Sequence, residues 1–121
     1  MKNSFYIQAA IQLGLIEDSY GYGITDAGIT KNGKVVQVIT PAIETRAQYL
    51  DNLKTIRDSR DPLLKDTDWV GLTDTPPSDL VTELKVYRQQ LRDITNQVIE
   101  GQPLNVTWPT DPRYPLNPSA A

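Results

Sequence analysis

Arg57–Gln97, RDSRDPLLKDTDWVGLTDTPPSDLVTELKVYRQQLRDITNQ, decides how the chain folds, because two helical patterns here flank an irregular connection carrying Trp69, one of only two tryptophans. Leu80, Leu84, Tyr87, Leu91 and Ile94 recur at spacings of 4, 3, 4 and 3. At about 100° per residue they fall in a narrow arc, which predicts a stripe that packs on a partner helix. Thr82, Lys85, Gln89 and Asp93 take the opposite face. Ser78, or Thr75 followed by Pro76, supplies a side-chain oxygen for a free amide of the first turn, and Asp79 and Glu83 suit the positive end of the dipole. The helix therefore starts near residues 76–78.

Upstream, Pro41 opens a second pattern, Ile43, Ala47, Leu50, Leu53 and Ile56, which predicts a helix from about residue 42 to 58 or beyond. Pro62 has no amide proton to give, so the helix either kinks there or ends, with Asp61 capping a separate turn over residues 62–66; the run Asp-Pro-Leu-Leu favours the separate turn. Gly71 to Pro77 has the composition of a tight connection. The expectation is an antiparallel helical pair with a core of Leu50, Leu53, Trp69, Leu80, Leu84, Tyr87, Leu91 and Ile94.

Before the helices, Asn32-Gly33 between β-branched residues predicts a two-residue hairpin within Ile29–Thr40. Phe5 to Leu15 alternates apolar residues and predicts a half-buried strand, although Tyr6, Ala10 and Leu13 also fit a short helix ended by Gly14. Glu17–Gly28, with Tyr20-Gly21-Tyr22-Gly23, reads as a loop; it lacks the glycine spacing of a phosphate cradle. After Asn96 the prolines at 103, 109, 112, 115 and 118 predict an extended tail over residues 102–121, on which Leu104, Val106 and Trp108 can dock. The whole reads as one α+β domain: a β element over residues 1–40, a helical hairpin over 41–100 and a proline-rich tail over 101–121.

Composition removes several function classes. Without a cysteine or histidine among 121 residues there are no thiol or imidazole ligands for a metal and no Ser-His or Cys-His nucleophile. Asp66 and Asp68 form a D-x-D, but Trp69 and Val70 stand where a calcium loop needs further ligands. Glu44, Asp51 and Asp58, seven apart, match a solvated helix face better than a catalytic pair. Twelve basic and fifteen acidic residues are interspersed, which predicts no nucleic-acid grip. The opening MKNSFYIQAAIQLG predicts neither a signal peptide nor a membrane span.

Arg60-Asp61-Pro62-Leu63-Leu64, Thr67-Asp68-Trp69, Thr73-Asp74-Thr75-Pro76, Tyr87-Arg88-Gln89-Gln90-Leu91-Arg92-Asp93 and Val106-Thr107-Trp108-Pro109 together resemble the phage tail assembly chaperone and tail fibre assembly protein families over residues 57–109. Residues 1–55 match no pattern. The resemblance implies a chaperone without enzymatic activity or cofactor, acting in the host cytoplasm on a trimeric tail fibre protein. Two other roles stand beside it: a structural virion component that stays on the fibre or baseplate, and a small regulatory module directed at a host protein. β-Rich fibre tips expose strand edges before assembly, and covering them suppresses aggregation. The residues expected to make such a contact are Tyr20, Tyr22, Ile29, Val36, Val38 and Trp108. Arg88 and Arg92, with Asp68, Glu83 and Asp93 within reach, read as a solvated ion-pair face or a latch to a partner.

Overall fold

The structure, a computed structural model, describes residues 2–72 and 76–114. It is α+β: helix α1 (Ser4–Gln12), strands β1 (Tyr22–Thr25), β2 (Gly28–Lys31) and β3 (Lys34–Gln37), helix α2 (Pro41–Asp66) and helix α3 (Asp79–Asp93), with 3-10 turns at Asp68–Gly71 and Ile94–Gln97. The chain splits into two compact units, the first of residues 1–52 and 99–103, the second of residues 53–98 and 104–121. Thr75, the Thr73–Thr75 part of the expected connection, and Pro115 and Pro118 of the tail lie outside the described residues.

In the first unit the expected N-terminal strand is a helix. Asn3 Oδ1 accepts the Phe5 amide at 3.0 Å and caps α1, and Gly14, at φ 74°, turns the chain away after it. The alternating apolar pattern misled because residues 5–11 are apolar on nearly all sides: Ala9 and Ala10 are fully buried, while Phe5, Tyr6 and Ile7 pack against the same core. The supposed loop before Gly28 also contains a strand. β1 pairs with β2 antiparallel, Tyr22 opposite Lys31 and Ile24 opposite Ile29, around the tight turn Asp26-Ala27.

The second hairpin is as the sequence predicts, with Asn32 at φ 55° and Gly33 at φ 78° joining β2 to β3. The sheet order is β1-β2-β3, so β3 is an edge. Its register jumps, with Thr30 opposite Val35 but Ile29 opposite Gln37, which leaves Val36 as the extra residue of a bulge. At Gly28, φ is +142° and a Cβ would stand 2.5 Å from the Gln37 carbonyl oxygen, so only glycine fits where the two strands converge. Ile29, Ile43 and Ala47 complete the core of this unit, with Leu50 packed at its margin.

Thr40 and Pro41 start α2, the Thr40 hydroxyl accepting the Ile43 amide at 3.2 Å. The helix then runs unbroken for 26 residues, through Pro62, and the separate turn expected at residues 62–66 does not form. An interior proline costs about 3 kcal/mol in lost hydrogen bonding and steric conflict. Here Pro62 and Asp58, whose carbonyl loses its donor, are both exposed, so water can satisfy that oxygen. The turn beyond the proline is also held from outside the helix, as described below.

In the second unit Ser78 is the cap of α3, its hydroxyl accepting the Val81 amide at 3.1 Å. The buried stripe is Val81, Leu84, Tyr87 and Leu91, continued by Ile94 in the following 3-10 turn. Leu80 is a correction: it is 41% exposed, and Val81 holds the place assigned to it. Helix geometry keeps Leu80 on the same side as the stripe, but in the first turn of α3 it is left uncovered while Val81 is covered. Leu64 of α2 and Trp108 of the tail pack on this core. Leu53 and Ile56 are buried as expected, whereas Trp69 is 39% exposed and is a rim residue instead of core.

Candidate functional site

Leu64, Thr67, Asp68 and Arg88, from three of the quoted motifs, meet at the C-terminal end of α2. The last carbonyls of a helix lack amide partners and carry its negative dipole end. The guanidinium of Arg88, on α3, answers both needs. Its Nη1 donates to the Leu64 carbonyl at 2.6 Å and to Thr67 Oγ1 at 2.8 Å, and its Nη2 donates to Asp68 Oδ1 at 2.9 Å. Thr67 is fully buried, and its hydroxyl donates back to the carbonyls of Leu63 and Leu64 at 3.0 and 3.2 Å. The Arg88 side chain is 14% exposed, so this is an internal clasp and not the solvated ion-pair face expected from sequence.

A second clasp fastens the tail. Arg113 Nη2 donates to Asp66 Oδ2 at 2.6 Å and to Asp111 Oδ2 at 2.7 Å, while its Nε donates to Asp111 Oδ1 at 3.1 Å. These bonds hold the Asp111 carboxyl below the usual carboxylate range and push Arg113 above its ordinary value. Burial raises the Tyr87 phenol, and the nearby Asp111 carboxylate adds to the effect. Between clasp and core lies an apolar cleft of about 400 Å³, walled by Leu63, Tyr87, Trp108 and Tyr114. Asp66 and Asp68, the D-x-D of the sequence, are thus both turned to arginines, and among the described residues no group of three acidic, histidine or cysteine side chains is placed to hold a metal ion.

The remaining carboxylates of α2 are also engaged. Glu44 Oε1 accepts the Tyr6 hydroxyl at 2.8 Å, and Asp58 pairs with Lys54 one turn away. Burial, and then the bond to Glu44, raises the Tyr6 phenol.

The residues expected to meet a partner are not equivalent. Tyr20 is 97% exposed. Tyr22 lies half-buried in β1, with Lys31 Nζ 4.9 Å above its ring. Ile29 is fully buried and belongs to the core, because its place opposite Gln37 turns it inward. Val36 and Val38 are exposed, and Val35 joins them, so the edge strand and the residue after it present three valines outward. Trp108 packs on the core with one face toward the cleft. Sequence reasoning missed Asp111 and Arg113, because the proline spacing suggested a loose tail; the signal was an Asp and an Arg two residues apart astride Pro112. Among the described residues no helix is long and apolar enough to cross a membrane.

Fold and clasps define a small α+β protein whose distinctive arginines are spent on its own architecture, leaving a strand edge and helix surfaces outward. A family profile described as phage tail assembly chaperone protein matches residues 53–113, half of the chain, and the chain belongs to that family. Its role is therefore that of a chaperone in phage tail assembly, with a phage tail protein as its partner. No curated protein and no solved structure matches the chain.

Proposed function

We propose that this chaperone binds a tail fibre protein through the β3 edge and assists its folding, trimerisation or attachment in the host cytoplasm during assembly. The observation that carries the reading is β3 itself, an edge strand whose Val35 and Val36, with Val38 just beyond, are about half exposed or more. An edge offers unpaired amides and carbonyls to an incoming strand, and outward valines add apolar contact. Lys34 and the bulge at Val36 restrain self-association, the usual hazard of such an edge. Tyr20 supplies a further exposed aromatic beside the start of β1. Nothing in this task consumes a nucleotide: a strand added to an edge releases when the client's own strands pair.

The test is co-expression with the cognate fibre. The parent chain should convert insoluble or monomeric fibre into soluble trimer, and Val36→Lys with Val38→Lys should reduce the yield severalfold while leaving the melting temperature unchanged, since both side chains are exposed. Fibre that is equally soluble and trimeric without the protein removes the reading, and fibre rescued equally by the double variant removes β3 from it.

A further inference from the structure

A second surface stands out within the second unit. The 3-10 turn Asp68–Gly71 and one face of α3 enclose a cavity of about 230 Å³ lined by Val70, Gly71, Lys85, Arg88 and Arg92. The three cations are three and four residues apart, which places them on one helix face, and no carboxylate is among the lining residues. Arg88 is turned inward to the α2 clasp. Lys85 has no ion pair among the described residues, and the one hydrogen bond of Arg92, to Gln89 Oε1, is 3.5 Å long. Arg88 is answered by Asp68, so the cations left without a carboxylate among the described residues are Lys85 and Arg92.

Gly71 points the same way. Its φ is not left-handed, and a Cβ there would meet nothing within 4 Å, so neither backbone conformation nor packing requires glycine. It is one of the residues lining the cavity, with open space where a side chain would stand. Leu72, the next residue in the chain, is exposed.

We infer that this cavity binds an acidic peptide segment of the tail protein, Lys85 and Arg92 holding a carboxylate and Leu72 meeting an adjacent apolar side chain; the assignment of the segment to that protein rests on the tail-protein client. The volume equals that of about eight waters, room for one acidic side chain and part of its neighbour. A long polyanion is the poorer match, because a chain with 15 acidic residues and a net charge of -3 repels it beyond these three cations.

The test uses the full, isotope-labelled chain titrated with a Leu-Glu-Glu-Leu-Glu peptide, its lysine counterpart and a short DNA oligonucleotide, followed by NMR. The acidic peptide should shift the Val70 and Gly71 amides and the Arg92 Nε resonance. Lys85→Glu with Arg92→Glu should weaken it about tenfold or more and gain affinity for the lysine peptide, as expected if charge complementarity selects the ligand. Gly71→Leu should close the cavity and abolish the shifts without lowering the melting temperature. No shift with the acidic peptide, equal binding by the charge-reversed protein, or a response to the oligonucleotide alone overturns the proposal. In capture of the tail protein, undiminished binding by the charge-reversed protein overturns it and leaves the β3 contact standing. Failure of the parent chain to capture any tail protein, with the peptide response intact, overturns the client reading and with it the source assigned to the peptide.

Discussion

Arg88→Ala should destabilise the protein by about 2–3 kcal/mol, a figure that follows from what each of its bonds leaves behind. The Asp68 partner is 65% exposed and rehydrates when released, so that pair contributes at most about 1 kcal/mol. Leu64's carbonyl keeps the Thr67 amide at 3.1 Å and the Thr67 hydroxyl at 3.2 Å, so it is not orphaned, but it loses its shortest and only charged donor. Thr67 Oγ1, fully buried in the parent, loses the donor that Arg88 supplies. Together these two losses account for about 1–2 kcal/mol, with the buried stem of the arginine contributing the rest. For a chain of this size that corresponds to a fall in melting temperature of about 10 °C, read by far-UV circular dichroism. Arg88→Lys should recover part of the loss, because an ammonium keeps the favourable charge at the helix terminus but cannot span three acceptors with a planar fork. Arg92→Ala, removing a neighbour with one long side-chain hydrogen bond among the described residues, should stay within about 0.5 kcal/mol of the parent. Equal melting of the Arg88 and Arg92 variants would refute the clasp, and full recovery by lysine would reduce it to a dipole effect.

Leu84→Asp should unfold the second unit, since a fully buried leucine is replaced by a charge without a partner, a loss of about 3 kcal/mol or more; a native melt would show that the α3 stripe is not core. Asp111, whose folded pKa is depressed by the bonds from Arg113, contributes stability that is complete above the ordinary carboxylate value of 3.8 and is lost as pH falls through and below it. Melting temperature should therefore decline on acidification below about pH 4, and Asp111→Asn should flatten part of that decline; an unchanged slope would refute the role of this carboxylate.

The parts legible in the sequence were those fixed by local chemistry. Asn32-Gly33 demanded a turn with positive φ, Ser78 a helix start, and Leu84, Tyr87 and Leu91 a buried face, and each appears where its own neighbours require it. The errors share one cause, tertiary context overruling local pattern. Phe5–Leu15 satisfied two periods at once, and only the cap from Asn3 and the core around Ala9 and Ala10 select the helix. Pro62 looked like a break because the sequence does not show that Arg88, 26 positions later, holds the turn beyond it. Ile29 looked like a contact residue because a β-branched residue in a hairpin is equally consistent with either face until the register is known.

The same long-range bonds change what the family motif signifies. Leu64, Thr67 and Asp68 meet Arg88, and Asp66 meets Arg113, while Trp108 packs on the α3 core. Residues so occupied have little left to offer a partner: a guanidinium already bound to three acceptors would have to give up those bonds to form new ones, at a cost near the 2–3 kcal/mol estimated above. A motif of this kind marks a fold that must hold its shape. On the two proposed readings, contact falls to side chains that the clasps leave unspent, Val36 and Val38 in the first unit and Lys85 and Arg92 in the second. Replacing these side chains leaves the bonds of Arg88 and Arg113 in place, so the contact surfaces can change without disturbing the clasps that keep the second unit folded.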